Sequence, residues 1–361
     1  MHMADALLSP AVGAAFWVAS GVALAWSARH VKRSERSDLV PLMGVLGAFV
    51  FAAQMINFSI PGTGSSGHIV GGLMLSVLVG PPAALMVLAS VLTVQALFFA
   101  DGGLLALGAN LFNMGVTSCL VAYPLVYRPL MPRHGALPSA RRIGWVAVLA
   151  SVVGLQLGAL AVVLQTQLSH ISSLPLETFL WMMQPIHLAI GLGEGLATAA
   201  LLVFIRQTRP DLLTAARIPA AATPAPRCSS KRLLGSIASL ALVTAGLLSW
   251  FASSHPDGLE WSIDRVAGSA PIAAPTSAIH SELSAWQSAT SYFKGYSLSV
   301  ATHQAVAHIN SGNGAPAIGA AETWPAVDAS TSAAGIVGGV VTLSLILGLG
   351  YWLRRRRSQK S

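Results

Sequence analysis

Residues 10–28 read PAVGAAFWVASGVALAWSA, a run in which no side chain is charged. An α-helix rises about 1.5 Å per residue, so this run spans most of a hydrocarbon core about 30 Å thick. Four basic residues follow it directly: Arg29, Lys32, Arg33 and Arg36. Basic clusters beside apolar spans stay on the cytoplasmic side. The stretch therefore predicts a membrane helix that starts outside and ends in the cytoplasm.

The composition of the whole chain agrees with a membrane protein. Of its 361 residues, 54% are hydrophobic and only 9% are charged, whereas soluble domains carry roughly 25% charged residues. The net charge is +8, but the basic residues sit in short clusters at the ends of apolar runs. This pattern sets membrane topology and does not indicate nucleic-acid binding.

The alternation of apolar runs and basic clusters continues to residue 205. We predict seven spans, at 10–28, 39–58, 69–79, 83–100, 104–126, 143–164 and 179–205. The third is short because prolines follow it, and proline does not continue a helix. Two more basic clusters follow the fifth and seventh spans: Arg128, Arg133, His134, Arg141 and Arg142, and then Arg206, Arg209, Arg217, Arg227, Lys231 and Arg232. Counting from an outward N-terminus puts every cluster in the cytoplasm.

The C-terminal part is predicted to be a separate unit. Residues 207–232 form a cytoplasmic linker rich in Ala, Pro and Thr. Two further spans, 233–251 and 334–353, enclose an extracytoplasmic insert at about 252–333. Four arginines at 354–357 fix the C-terminus inside. The predicted fold is an all-α polytopic membrane protein, with a seven-span domain at 1–206 and a two-span hairpin at 233–361.

The first two residues, Met1 and His2, offer an unusual set of metal ligands. The start of the chain lacks the basic n-region of a signal peptide, so we expect Met1 to be retained. Its α-amine, the first peptide nitrogen and the His2 imidazole can then wrap one ion in fused chelate rings. Square-planar nitrogen coordination suits Ni(II) or Cu(II). In the alternative interpretation, His2 is simply a solvated terminal residue.

His68 lies on the same outer side in this topology and is the candidate fourth donor. The preceding loop, 61–67, is uncharged and contains three glycines, so its backbone can pack closely against another segment. We expect His68 to start the third span, with Ser65 or Ser66 as the helix cap. The alternative is an interfacial histidine without a ligand role.

Other polar residues lie within or beside the spans. His187 and Glu194 are seven residues apart on one helix face, and ionisable groups inside a membrane are functional candidates. A structural contact between packed helices is the alternative. Four amides, Asn57, Gln95, Asn110 and Asn113, are candidates for orienting a metal-binding imidazole or for bonding neighbouring helices. Asp101 is a further candidate for an ion path.

The sequence argues against nucleotide binding and metalloprotease activity. Gly62 and Gly67 have the spacing of a phosphate-binding loop, but His68 and Ile69 stand where that motif has Lys and Ser or Thr. The chain contains no H-E-x-x-H motif. We therefore expect no enzyme and no nucleotide bound by this chain, so any ATP hydrolysis that drives transport belongs to partner subunits.

Several segments of residues 1–206 resemble the substrate-binding subunits of nickel/cobalt energy-coupling-factor transporters. They are Met1-His2 with Asp5 and Leu8-Ser9-Pro10, Gly62-Thr63-Gly64-Ser65-Ser66-Gly67-His68, Gln95-Ala96-Leu97-Phe98-Phe99-Ala100-Asp101-Gly102-Gly103, Gly108-Ala109-Asn110, Phe112-Asn113-Met114-Gly115 and the segment from His187 to Glu194. The resemblance implies that Met1, His2 and His68 coordinate the metal. The family's Ile-Pro-Asp-Gly after the histidine is Met3-Ala4-Asp5-Ala6 here.

The C-terminal unit resembles the small two-span accessory subunit of the same transporters. The resemblance rests on Pro256-Asp257-Gly258-Leu259-Glu260-Trp261 and on the glycine-rich last span. The chain is then a fusion of the two components, although residues 265–325 show no pattern of that family.

The resemblance implies a transporter subunit in a bacterial-type inner membrane, with its N-terminus outside and its C-terminus inside. Its implied partners are a transmembrane coupling subunit and two cytoplasmic ATPase subunits. Planar nitrogen donors favour low-spin Ni(II) over Co(II) as the substrate. Two other classes remain open: a stand-alone cation channel or secondary transporter that uses Asp101, Glu194 and His187 as its path, and a membrane enzyme or metal sensor.

Overall fold

The computed structural model describes residues 1–34, 36–132, 137–215, 230–268, 277–297 and 324–358. Part of the predicted linker, 216–229, lies outside these ranges. So do four residues of the predicted basic clusters, namely Arg133, His134, Arg217 and Arg227.

The first domain consists of helices that follow the predicted spans. They are α1 (Pro10–Arg33), α2 (Leu39–Gln54), α3 (Gly72–Val79), α4 (Pro81–Val94), α5 (Leu107–Asn110), α6 (Ala140–Ser169) and α7 (Leu176–Thr208). A short helix, α8 (Pro210–Ala215), follows them and lies within the predicted linker 207–232. π-Helical segments, Gln95–Phe99 and Leu111–Tyr127, extend α4 and α5. α1 begins at Pro10 because Ser9 caps it, accepting a hydrogen bond from the Val12 amide at 3.4 Å.

In its described residues, the C-terminal unit adds the α-helices α9 (Ser230–Gly246), α10 (Gly258–Ala267), α11 (Ala278–Thr290) and α12 (Ala329–Ser358). α9 and α12 pack against each other and against α2. The approach is close, since a Cβ added at Gly338 of α12 would lie only 2.1 Å from the Phe51 ring. The accessory hairpin is therefore packed onto the first domain.

Six helical stretches of the described residues are long and apolar enough to cross a membrane. They are Pro10–Arg33, Pro81–Phe99, Leu107–Tyr127, Ala140–Ser169, Leu176–Thr208 and Ala329–Leu353. Large apolar side chains point outward from several of them; Trp17, Leu168 and Leu196 are 45%, 63% and 63% exposed. A soluble protein rarely exposes so much apolar surface. The all-α polytopic membrane fold predicted from the sequence is confirmed.

The longest helices of the bundle pack through small residues. A Cβ added at Gly195 of α7 would lie 2.6 Å from the Cα of Val148 in α6, and one at Gly191 would lie 3.1 Å from the Cα of Val152. Glycine lets the two backbones approach, as is common between membrane helices. This close packing fixes the position of α7 against α6, and with it the positions of His187 and Glu194, which α7 carries.

The loop after α2 differs from the prediction. Strands β1 (Phe58–Ile60) and β2 (Ser65–Gly67) form an antiparallel hairpin. The predicted cap by Ser65 or Ser66 is wrong, because both residues lie in β2. α3 starts later, after Gly71, which has a left-handed φ of 78° and provides no side-chain cap. Ser66 instead donates its amide to the Pro256 carbonyl at 2.8 Å. Ser66 is therefore bonded to the accessory unit and does not cap a helix.

Candidate metal centre

The N-terminal segment folds back into the bundle before α1 begins. Met3, Leu7 and Leu8 are fully buried. Asn110 holds Met3 at two points: its Oδ1 accepts the Met3 amide at 2.7 Å, and its Nδ2 donates to the Met3 carbonyl at 3.1 Å. The Gly103 amide donates to the same carbonyl at 2.9 Å. These bonds fix the backbone one residue beyond His2 and direct Met1 and His2 inward.

The terminal nitrogen, His2 and His68 meet in this buried pocket. The Met1 nitrogen lies 3.5 Å from Nε2 of His68. The imidazole rings of His2 and His68 have centroids 5.1 Å apart and planes inclined by 32°. The fold thus brings together the three residues that the sequence analysis assigned to one metal site.

Burial keeps both imidazoles neutral. It lowers the pKa of His2, although the nearby Asp101 carboxylate opposes the shift. It also lowers the pKa of His68, and the positive N-terminus and His2 lower it further. A histidine must be neutral to bind a metal. The pocket therefore holds its imidazoles in the protonation state that coordination needs.

The ring of His2 is oriented by an acidic neighbour. Its Nδ1 lies 3.1 Å from Oδ1 of Asp101, whose other oxygen accepts a hydrogen bond from the Tyr296 hydroxyl at 2.5 Å. Nε2 of His2 is buried without a hydrogen-bond partner among the described residues. Chelation with the residue's own peptide nitrogen closes a six-membered ring through Nδ1. A His2 that chelated an ion in this way would turn its Nδ1 away from Asp101.

The segment that carries His68 is held by Glu194 of α7. The two carboxylate oxygens of Glu194 accept the amides of Val70 and Gly71 at 3.2 and 3.1 Å. Gln54 donates to the Val70 carbonyl at 2.9 Å. These contacts place Glu194 directly behind the His68 segment.

The other amides predicted to orient ligands have different surroundings. Gln95 lies beside His2 and donates to Gln54 at 2.8 Å. Asn113 and Gln165 form a reciprocal amide pair with two contacts of 2.7 Å beneath Met3. Asn57 binds the accessory unit, since its carbonyl accepts the Ser253 amide at 2.7 Å.

Asp257 is a residue of the site that the sequence analysis missed. Its Oδ2 lies 2.5 Å from the Met1 nitrogen. Its Oδ1 caps α10, accepting the amides of Leu259 and Glu260 at 2.8 and 2.9 Å. Burial is the largest single influence and would raise the pKa of Asp257, but the charge and hydrogen bond of the adjacent N-terminus, the Glu260 amide and His68 together outweigh it and hold the pKa well below its ordinary value. The only sequence signal was its position in the accessory-unit motif, which says nothing of contact with residue 1.

Two more accessory residues contact the surroundings of the site: His280 holds the N-terminal segment, and Gln287 holds the chain that follows α4. Nε2 of His280 in α11 lies 3.1 Å from the Asp5 carbonyl and 2.9 Å from the Leu8 carbonyl. Gln287, two turns along, donates to the carbonyls of Ala96 and Gly102 at 2.9 and 2.7 Å. The accessory unit therefore forms part of the wall around the site.

The donors present fit an ion bound largely through nitrogen. Among the described residues, no three His, Cys, Asp or Glu side chains cluster closely enough to hold an ion by themselves. A site made by Met1, His2 and His68 uses main-chain nitrogen as well as imidazole, because the nitrogen that Met1 offers is its α-amine. The amine, the peptide nitrogen and two imidazoles supply four such donors, and this set suits a planar site.

The family of the chain follows from its match to known proteins. Residues 2–212, more than half of the chain, match the family CbiM, the cobalt uptake substrate-specific transmembrane region. The chain belongs to the CbiM family. Residues 231–355 match the PDGLE domain, so this CbiM chain carries its accessory unit in the same polypeptide. It is a nickel/cobalt transport component of CbiM type.

Some relatives of this CbiM chain are named for nickel and others for cobalt. The fused nickel transport protein NikMN of Rhodobacter capsulatus is 35% identical over 233 residues, 61% of this chain and 66% of that protein. The cobalt transport protein CbiM of Sorangium cellulosum is 33% identical over 225 residues, 59% of this chain and 94% of that protein. A crystal structure of a truncated transition metal transporter is 29% identical with a TM-score of 0.50, covering 58% of this chain and 99% of that one.

Proposed function

We propose that this chain captures a divalent transition metal ion, Ni(II) in preference to Co(II), at its outer end and passes it across the membrane. The ligands are the Met1 amine, the peptide nitrogen and imidazole of His2, and the imidazole of His68. The observation that carries the proposal is the meeting of the terminal nitrogen with both imidazoles in one buried pocket.

The donor set supports nickel. Four nitrogen donors in a plane split the d orbitals strongly, and a d8 ion such as Ni(II) then pairs its electrons and leaves the orbital that points at the ligands empty. Low-spin Co(II), with seven d electrons, gains less from the same plane. Geometry and ligand type, more than raw affinity, select a metal in proteins.

Capture exchanges protons for the ion. The N-terminal ammonium pairs with Asp257, and it must lose a proton before the nitrogen can bind a metal. The ion also displaces the proton of the His2 peptide nitrogen. The result is that Asp257 loses its contact with an ammonium when the ion arrives.

Transport in this proposal is driven by ATP in other subunits. A transmembrane coupling subunit and two cytoplasmic ATPase subunits supply the energy, as the family resemblance implies. The lack of a Walker A motif in the sequence fits this division. Residues 1–206 form the metal-binding domain, 207–232 the cytoplasmic linker and 233–361 the accessory domain. The chain spans the cytoplasmic membrane with its N-terminus on the outer side and its C-terminus on the cytoplasmic side, since the basic clusters follow that arrangement.

The decisive experiment compares two forms of the full chain, both tagged at the C-terminus. One starts at Met1, and the other carries a Gly-Ser extension that cannot be processed. After expression with Ni(II), elemental analysis should find about one equivalent of nickel in the first form and little in the second, because the extension removes the amine donor. Equal nickel content in the two forms would overturn the proposed site.

A further inference from the structure

His187 is a buried histidine of α7 with one unused ring nitrogen. Its side chain is 1% exposed. Nδ1 lies 2.8 Å from the Met183 carbonyl one turn earlier, while Nε2 has no hydrogen-bond partner among the described residues. Because a carbonyl can only accept, Nδ1 carries the proton and Nε2 keeps its lone pair. A ring nitrogen bonded to a carbonyl, with the other free, is the usual arrangement in metal-binding histidines.

The ring of His187 lines a small cavity that Met1 and His68 of the proposed metal site also line. A space of about 10 Å³ is lined by Met1, His68, His187, Asp257 and Gly258, among others. A Cβ at position 258 would lie 3.3 Å from Nε2 of His187. A side chain at position 258 would crowd the Cε1–Nε2 edge of the His187 ring, and glycine leaves that edge free. This space is of the order of a single water or ion.

We propose that Nε2 of His187 is a further metal ligand, an apical donor to an ion that Met1, His2 and His68 hold in a plane. The inference rests on the proposed function. Apical donors in such sites stand farther from the ion than planar ones.

An apical imidazole discriminates between the two metals. Planar low-spin Ni(II) has a filled orbital along the axis perpendicular to the plane, which repels an apical lone pair. Low-spin Co(II) has one electron in that orbital and accepts the donor. His187 therefore strengthens Co(II) binding while leaving Ni(II) binding nearly unchanged, and it sets how strongly the planar site prefers nickel.

The unpaired electron of Co(II) gives a direct test, because it occupies the orbital that faces His187. The full chain in lipid nanodiscs is loaded anaerobically with Co(II) chloride and examined by electron paramagnetic resonance. One apical ¹⁴N, with nuclear spin one, should split the parallel cobalt lines into triplets. In His187→Leu the triplets should be absent, and Co(II) affinity should fall about tenfold while Ni(II) affinity changes less than about threefold.

His30→Leu is the matched control. Nδ1 of His30 lies 2.9 Å from the Trp26 carbonyl, the same one-turn contact that His187 makes, but its ring is exposed near the other end of the bundle. This variant should keep the triplets. His187→Gln should melt at the wild-type temperature and still lack them, which separates a ligand from a packing residue. Bound Co(II) without triplets in the wild type would overturn the inference and leave the proposed function standing. A wild type that binds neither metal would overturn both.

Discussion

The Met1 nitrogen lies 2.5 Å from Oδ2 of Asp257, and this contact joins the first residue of the chain to its accessory unit. The same aspartate caps α10 with its other oxygen. The neighbouring Pro256 carbonyl accepts the amide of Ser66, two residues before His68. One short loop of the accessory unit therefore touches both halves of the proposed metal site.

Replacing Asp257 by asparagine should expose the terminal amine. The amide keeps the shape of the side chain but loses the charge that holds the ammonium, and charge-assisted hydrogen bonds are roughly twice as strong as neutral ones. We expect a membrane-impermeant acylating reagent to modify the Met1 amine faster in Asp257→Asn than in the wild type. The rate is measured by mass spectrometry of the N-terminal peptide.

Asp264→Asn provides the matched control for that experiment, since Asp264 lies on the exposed side of α10. It should leave the acylation rate unchanged. Equal rates in Asp257→Asn and the wild type would show that the ion pair does not protect the amine.

Asn110→Ala should weaken metal binding without removing any ligand. The change deletes both hydrogen bonds to Met3, so the segment that carries Met1 and His2 gains freedom. Loss of a residue that orients metal ligands typically lowers affinity about 10- to 100-fold, and isothermal titration calorimetry with Ni(II) measures the change. Asn57→Ala is the control, because the contact of Asn57 with Ser253 runs through its backbone. Similar losses of Ni(II) affinity in both variants would argue against a role for the two Asn110–Met3 hydrogen bonds in metal binding.

Glu194→Gln should destabilise the loop behind His68. In the wild type, the Glu194 carboxylate accepts hydrogen bonds from the amides of both Val70 and Gly71. A glutamine has only one acceptor oxygen, so one buried N–H loses its partner at a cost of about 1–3 kcal/mol. We expect a lower melting temperature and weaker Ni(II) binding. Glu177→Gln, in the exposed first turn of α7, should change neither. A Glu194→Gln variant with unaltered melting and binding would contradict this role.

Ni(II) binding should release about two protons near neutral pH, one from the terminal ammonium and one from the His2 peptide nitrogen. The imidazoles should release none, because burial lowers the pKa of His2 and of His68 and both rings are neutral before the ion arrives. Affinity should therefore still fall as pH drops, through the amine and the peptide nitrogen. Calorimetry in buffers of different ionisation enthalpy counts the protons. A count near four would mean that both imidazoles were charged.

The membrane helices could be predicted because hydropathy and charge are properties of short segments. The apolar run at 10–28 and its basic flank identify α1 without knowledge of any other residue. The β-hairpin before α3 was not predicted, because its strands have only three residues each, too few for an alternating pattern. In addition, β2 bonds to the backbone at Pro256, about 190 residues away. Pairing partners at that separation leave no periodic signal in the sequence.

The proposed metal site can likewise be separated into a part that the sequence determined and a part that the fold determined. The chemistry of Met1 and His2 follows from three nitrogens that are neighbours in the covalent chain, so the sequence alone determined which ions they suit. The topology and the family resemblance added His68. The free nitrogen of His187 and the acidic contacts of Asp101 and Asp257 depend on packing between distant segments, and the sequence could not supply them.

By itself, then, the sequence determined that this chain crosses the membrane many times and that its first two residues place three nitrogen atoms within a few bonds of one another. Only the tertiary structure decided which groups surround that chelate. Burial deprives the imidazoles of water and keeps them neutral, and the fold brings Asp257 from the accessory unit to the terminal nitrogen. Covalent neighbours set the possible donors, whereas long-range packing sets their protonation, orientation and partners.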